Sequence, residues 1–259
     1  MKLHIVPART GTQWAKAGVK TFFRQPLALT GLFFLFMAAM SILSLVPLLG
    51  NVLALTLLPG ATLGLMVATK EASNGTFPKP MVLLSAFRAG RAKLHSILIL
   101  GALYAAGFLL VLGLTALVDG GKFAQLYLLG TGLSAEVLQE SDFESAVLLA
   151  MALYMPLSLL FWHAPALVHW HGVSPLKSLF FSIVACVRNL GAFTVYSLVW
   201  LGAFIGMGMV LALGAALLGS PEAAASLMFP AAMLMAAMFF TSIYFTFEDS
   251  FDMDQEEPQ

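Results

Sequence analysis

Residues 26–69 read PLALTGLFFLFMAAMSILSLVPLLGNVLALTLLPGATLGLMVAT, and this stretch decides the fold class because it carries no charged residue. An α-helix needs about 20 consecutive apolar residues to cross the hydrocarbon core of a bilayer. The stretch therefore predicts two membrane spans, at residues 26–49 and 51–69. The first span begins too late and runs too long for a secretory signal, so we expect it to remain in the mature protein.

The composition of the whole chain also indicates that the protein is embedded in a lipid bilayer. Of 259 residues, 60% are hydrophobic and only 10% are charged, and the mean hydropathy is +0.91. Soluble domains carry about 25% charged residues. Four further apolar windows bring the predicted spans to six, at 26–49, 51–69, 95–118, 146–169, 191–218 and 225–247. The sequence thus predicts an all-α integral membrane protein in which residues 1–259 form a single transmembrane domain.

Positive charges are distributed unevenly among the predicted connections. Of the 13 Lys and Arg residues, only Lys122 falls on the side that holds residues 119–145. The positive-inside rule places the Lys- and Arg-rich side in the cytoplasm. The sequence therefore predicts a bacterial inner-membrane protein with both termini cytoplasmic. The acidic tail, residues 248–259, would be cytoplasmic too, and its composition is typical of a disordered end.

Each cytoplasmic segment also contains a short amphipathic helix, here called an elbow, that leads into an odd-numbered span. The elbows end at Arg24, Arg91 and Arg188. We expect such helices to lie in the membrane interface, with apolar sides buried and cations directed at lipid headgroups. The chain would then consist of three hairpins of spans, each preceded by an elbow. The open alternative is that elbows and proline-kinked spans are simply common in membrane proteins.

The segment with the most polar and aromatic side chains is residues 161–179, FWHAPALVHWHGVSPLKSL. Its histidines are poorly spaced for a metal or haem site, because helical ligands lie three or four residues apart and His163 and His169 are six apart. We therefore predict no metal. We interpret the segment as the cytoplasmic end of span four, followed by a break at Gly172, Ser174 and Pro175. His163 would be buried and hydrogen-bonded to a neighbouring helix, and it is a functional candidate as a polar group at membrane depth.

Two other features carry weaker predictions. Gly202, Gly206 and Gly208 form a GxxxG pattern with one added glycine, which permits close helix contact. We favour a contact within the monomer over one between monomers. The single cysteine, Cys186, excludes an intramolecular disulfide and is expected to be a small buried thiol.

Two segments resemble known proteins. MKLHIVPARTGTQWAKAGVKTFFRQPLALTGLFFLF and APALVHWHGVSPLKSLFFSIVACVRN resemble an uncharacterised family of proteobacterial inner-membrane proteins, over nearly the whole chain. The third elbow alone is similar to that of other polytopic bacterial proteins, including the membrane part of some glycerophosphodiester phosphodiesterases. The resemblance implies a six-span inner-membrane fold and no activity, since the first family has none assigned and this chain lacks a phosphodiesterase domain.

The residues favour one function class and leave two others open. No nucleophile–base pair, paired carboxylates or zinc spacing is present, so we expect neither catalytic residues nor a cofactor. We predict a non-catalytic accessory, scaffold or lipid-organising component that contacts membrane lipids and either another membrane protein or a second copy, and no nucleic acid. The alternative is a transporter or flippase for a small apolar or amphipathic solute. A membrane enzyme is the third possibility.

Overall fold

A computed structural model describes residues 2–46, 49–130, 134–219 and 221–252. The described residues form twelve α-helices and one 3₁₀ turn. In chain order they are α1 Thr10–Arg24, α2 Pro26–Ser44, α3 Leu49–Ser73, the 3₁₀ turn Pro80–Leu84, α4 Ser85–Arg88, α5 Arg91–Asp119, α6 Lys122–Leu129, α7 Ala135–Leu138, α8 Ser141–Phe161, α9 Ala164–His171, α10 Pro175–Arg188, α11 Leu190–Leu218 and α12 Pro221–Ser250.

The all-α polytopic fold is confirmed. Six helical segments of the described chain are long and apolar enough to cross a membrane, and each overlaps a predicted span. They are Pro26–Ser44, Leu49–Ser73, Arg91–Asp119, Ser141–His171, Leu190–Leu217 and Ala225–Ser250. The fourth combines α8 and α9, which are separated by a two-residue break.

The chain divides into two compact units. The first comprises Met1–Leu35, Gly64–Leu83 and Ala185–Gln259, and the second comprises Phe36–Leu63 and Leu84–Val184. Helices α2, α3 and α10 each contribute to both units, and the single transmembrane domain stays a prediction. In the first unit α11 packs along α12, and in the second α5 packs along α8. The pairing of α2 with α3 as a further hairpin stays a prediction.

In the first unit, α1 packs across α11 and α12 through its small and apolar residues. Trp14 is 1% exposed, and its ring lies 5.2 Å from that of Phe193. The indole Nε1–H donates to the Asp249 carboxylate over 2.8 Å. The opposite stripe of α1, with Lys16 and Lys20, is exposed. The first elbow therefore buries its apolar face against protein, and its interfacial position stays a prediction.

The segment before α1 joins the two ends of the chain. Leu3 forms an antiparallel bridge with Phe251, and the His4 N–H donates to the Ser250 carbonyl over 3.0 Å. The buried amide of Asn189 accepts from the Val6 N–H and donates to the His4 carbonyl. Residues 248–250 therefore complete α12, and Phe251 pairs with Leu3; the disorder of the acidic tail stays a prediction. The rest of that tail, residues 253–259, lies outside the described residues.

The second elbow differs from the prediction, whereas the third forms a helix that ends at Arg188 as expected. The second is a 3₁₀ turn and the single turn α4, because Gly90 adopts a φ of +93° that ends the segment. Arg91 consequently begins α5 instead of closing an elbow. In the third, α10, the buried positions are small or polar, whereas apolar residues such as Leu176, Phe180 and Val187 are exposed. These exposed apolar residues of α10 are suited to contact with lipid.

In the second unit, the core lies between α3, α5 and α8, with Leu55, Tyr104, Phe108, Leu112 and Leu157 among its buried members. Gly101 of α5 lies directly against the Thr56 carbonyl, where a Cβ atom would overlap it. This close approach gives α5 and α3 the backbone contact that small residues permit between membrane helices.

Candidate functional site

The fourth span is interrupted beside His163. Helix α8 ends at Phe161 and α9 begins at Ala164, with Pro165 in its first turn. A proline has no N–H, and its ring clashes with the carbonyl of the residue four positions earlier, which here is Phe161. Pro165 therefore removes the helical bond to Phe161, although Pro59, Pro156 and Pro230 lie inside continuous helices.

A serine of the next helix repairs the break. The Ser182 hydroxyl accepts from the His163 backbone N–H over 2.9 Å and donates to the Leu159 carbonyl over 2.8 Å. In a continuous helix, the N–H of residue 163 would bond the carbonyl of residue 159 directly. Ser182 is thus inserted into the missing hydrogen bond, so that both backbone groups remain satisfied where water is excluded.

His163 itself is fully buried, as expected. Its relative exposure is 0%, and the following residues 164–168 are also buried. The hydrogen bond to the neighbouring helix α10 is made by its backbone N–H. The arrangement places an imidazole and a serine hydroxyl at a helix discontinuity, a feature that often lines substrate sites in transporters.

The other histidines of the segment do not join His163. His169 and His171 are partly buried near the end of α9, which Gly172 terminates in a left-handed conformation, with α10 starting at Pro175. The predicted break at Gly172, Ser174 and Pro175 is therefore confirmed. Among the described residues, no group of three or more His, Cys, Asp or Glu side chains could hold a metal ion. The absence of a bound metal stays a prediction.

The three candidate arginines occupy different local positions. Arg24 ends α1, and its Nη1 donates to the Ser73 carbonyl at the end of α3 over 3.4 Å, where a cation complements the helix dipole. Arg91 is the first residue of α5, and Arg188 is the last of α10; both are exposed. Arg24 therefore supports a helix end as well as facing solvent, which the spacing of charges alone does not reveal.

The glycine pattern of α11 has no partner within the described protein. A Cβ atom added at Gly202, Gly206 or Gly208 would meet nothing within 4 Å. Among the described residues the glycines thus lie on an open part of α11, and the preference for a contact inside the monomer stays a prediction.

Sequence reasoning missed two important residues. Ser182 is one of two serines in α10, and nothing in its spacing indicates that it reaches a backbone break on another helix. Asp249 appears in the sequence as part of an acidic tail, yet its carboxylate accepts a hydrogen bond from the Trp14 indole N–H. A hint was available in Pro165, because the groups freed by a membrane proline need partners from neighbouring helices.

Comparison with known proteins shows the family to which this chain belongs. The chain is 39% identical to a probable inner membrane protein of Burkholderia thailandensis, over 98% of this chain and 96% of the relative. No protein-family model matches the chain. No solved structure gives a significant match.

Proposed function

We propose that this protein, which belongs to the same family as the probable inner membrane protein of Burkholderia thailandensis, is a non-catalytic accessory or scaffold component of the bacterial inner membrane. Its partner would be another membrane protein or a second copy of the chain. Membrane lipids would cover the remaining apolar surface, and the role requires no cofactor. The two expected spans nearest the C-terminus, α11 and α12, would provide the assembly surface.

The observation that carries this proposal is the open glycine face of α11. Gly202 and Gly206 lie one helical turn apart with nothing packed on them. Large apolar side chains beside them, such as Ile205 and Met209, are more than half exposed. In lipid, apolar surface alone does not drive helices together, whereas small residues that let backbones approach do. A partner helix is the ligand that such a face fits best.

Replacement of Gly206 by leucine tests the assembly role. We expect the intact protein to purify in mild detergent as a complex larger than one chain, and Gly206→Leu to reduce the complex at least about tenfold, because a branched side chain separates the backbones. Gly113→Leu is the matched control, since Gly113 lies on α5 and also has nothing within 4 Å. Native mass spectrometry measures both. A monomeric intact protein without a partner, or equal complexes in all three proteins, would refute the proposal.

The alternative, a transporter or flippase for a small apolar or amphipathic solute, is supported by the break at His163. A proton-driven carrier needs a group that changes charge at membrane depth, and His163 is the candidate among the described residues of the fourth span. We expect protein in liposomes to show no uptake that depends on a pH gradient. Gradient-driven uptake that His163→Ala abolishes would favour the carrier over the scaffold.

The proposed orientation places both termini in the cytoplasm. It is supported by the distribution of Lys and Arg, and by the bridge between Leu3 and Phe251, which holds the two ends together. A reporter enzyme that is active only outside the cytoplasm should work when fused after Gly130 and fail when fused after Asn74. The opposite pattern would invert the topology.

A further inference from the structure

The second unit contains a cavity of about 450 Å³. It lies between the end of α2, the start of α3 and the helix α6. Its volume falls in the range of roughly 300–1,000 Å³ that is usual for small-molecule sites. We propose that this cavity binds a single-chain amphiphile with an uncharged, hydroxyl-bearing head, and that binding there is independent of the assembly surface on α11.

The walls of the cavity follow the periodicity of the helices. Helix α3 contributes positions 51, 54, 55 and 58, which form one stripe of a helix because residues three and four apart share a face. Helix α2 contributes Met40 and Ser44, one turn apart. Asn51 and Leu58 are seven residues apart, or about 10 Å along the helix axis. The cavity is therefore elongated along the helices, as the chain of a lipid is.

Polar and apolar groups separate along this length. Ser44 and Asn51 lie near the ends of their helices, and Tyr127 belongs to α6; these three carry the polar side chains of the lining. Leu55 and Leu58 lie one and two turns deeper into the span. Asn51 donates from Nδ2 to the Leu128 carbonyl in the last turn of α6, which fixes the amide at the polar end of the cavity. The polar end thus suits hydroxyl groups, and the apolar end suits a hydrocarbon chain.

The charges around the polar end of the cavity decide the class of head group. None of the described residues that line the cavity is charged. Lys122, at the start of α6, is already paired with Glu140. A phosphate head would lose its hydration without gaining a cation, which is costly. Neutral hydroxyls, in contrast, can exchange hydrogen bonds with an amide and a phenol.

Photolabelling of the full-length protein in nanodiscs tests this site. The probe is a monoacylglycerol with a diazirine in its acyl chain. We expect saturable labelling that maps to peptides covering residues 40–58 and 122–130. Unlabelled monooleoylglycerol should compete at least about tenfold better than the matching lysophosphatidic acid, which differs by its phosphate.

A filled cavity provides the second arm. Ala54→Trp should reduce specific labelling about tenfold, whereas Ala106→Trp, at an exposed position of α5, should leave it unchanged. Labelling spread evenly over the lipid-facing helices, or equal in both variants, would overturn the site. Equal competition by lysophosphatidic acid would overturn the uncharged head group. If Ala54→Trp fails to fold, the peptide map of the intact protein still decides the location. The assembly proposal is tested separately, by the loss of the complex in Gly206→Leu. Failure of the cavity proposal and failure of the assembly proposal are therefore distinguishable.

Discussion

The first unit contains two glycine patterns with opposite surroundings. Gly11 and Gly18 of α1 lie against the backbones of Ala192 and Ser242, so closely that an added Cβ atom would overlap them. Gly202 and Gly206 of α11 meet nothing within 4 Å. The pair with the familiar GxxxG spacing is the open one, and the pair seven residues apart is the packed one.

The difference shows what a glycine needs in order to act as a packing residue. In α1 the glycines alternate with side chains that have specific partners, such as Trp14 with Asp249. Close approach of the backbones brings those partners within reach. Near the middle of α11, the side chains beside Gly202 and Gly206 are exposed and apolar. Spacing therefore indicates where two helices can approach, whereas the neighbouring side chains determine whether they do so within one chain.

The largest expected effect belongs to the packed region. Trp14→Ala should lower the free energy of unfolding by about 3–5 kcal/mol, because it removes a buried indole and leaves a cavity. Phe23→Ala is the matched control on the same helix, since Phe23 is 66% exposed; we expect it to cost less than about 0.5 kcal/mol. Unfolding by SDS in mixed micelles measures both. Equal losses would mean that α1 is held by the membrane interface and not by α11 and α12.

Gly18→Ala tests the close approach itself. The new methyl group would overlap the backbone of Ser242, which cannot rotate away as a side chain can. We expect a loss of about 2–3 kcal/mol, typical of overpacking in a filled core, measured by the same titration. An unchanged midpoint would show that α1 can move outward at little cost.

The extent to which the sequence predicts this structure follows from the range of each signal. A membrane span is identified by its mean hydropathy over about 20 residues, which does not depend on contacts with distant segments. The six spans are therefore predicted within a few residues. The break after span four is equally local, since Gly172 and Pro175 act through their own backbone geometry. The second elbow is shorter than its amphipathic pattern predicts, because Gly90, with a φ of +93°, prevents the helix from continuing.

Contacts between residues far apart in the chain could not be predicted from the sequence. Ser182 meets His163 across 19 positions, and Trp14 meets Asp249 across 235. Such pairs depend on how helices are placed against each other. The hydrophobic periodicity of one helix does not indicate that placement. The burial of His163 was expected from its depth, but the repair of the helix by a hydroxyl required the position of α10 to be known.

Ser182→Ala extends the comparison to the second unit, where another small residue is needed by a neighbouring helix. The change leaves the His163 N–H and the Leu159 carbonyl without their bridge. Unsatisfied buried groups cost about 1–3 kcal/mol, and measured values in membranes tend to the lower end, so we expect about 1–2 kcal/mol. Hydrogen exchange at residues 159–163 should accelerate. Ser178→Ala is the control, because that hydroxyl bonds Pro175 in its own helix; an equal cost there would remove the special role of Ser182.

The smallest effect is expected for Gly206→Ala, the same substitution as at Gly18 in the open region. No atom lies within 4 Å of the new methyl group, so there is no overlap to relieve. In water the change would stabilise a helix by up to about 1 kcal/mol through helix propensity. In a membrane the unfolded state remains helical because its backbone groups must stay bonded, which removes most of that gain. The SDS titration of the monomer should therefore shift by less than about 0.5 kcal/mol. A loss comparable to that of Gly18→Ala in a strictly monomeric sample would show that α11 is packed inside the chain after all, and the contrast between the two glycine patterns would disappear.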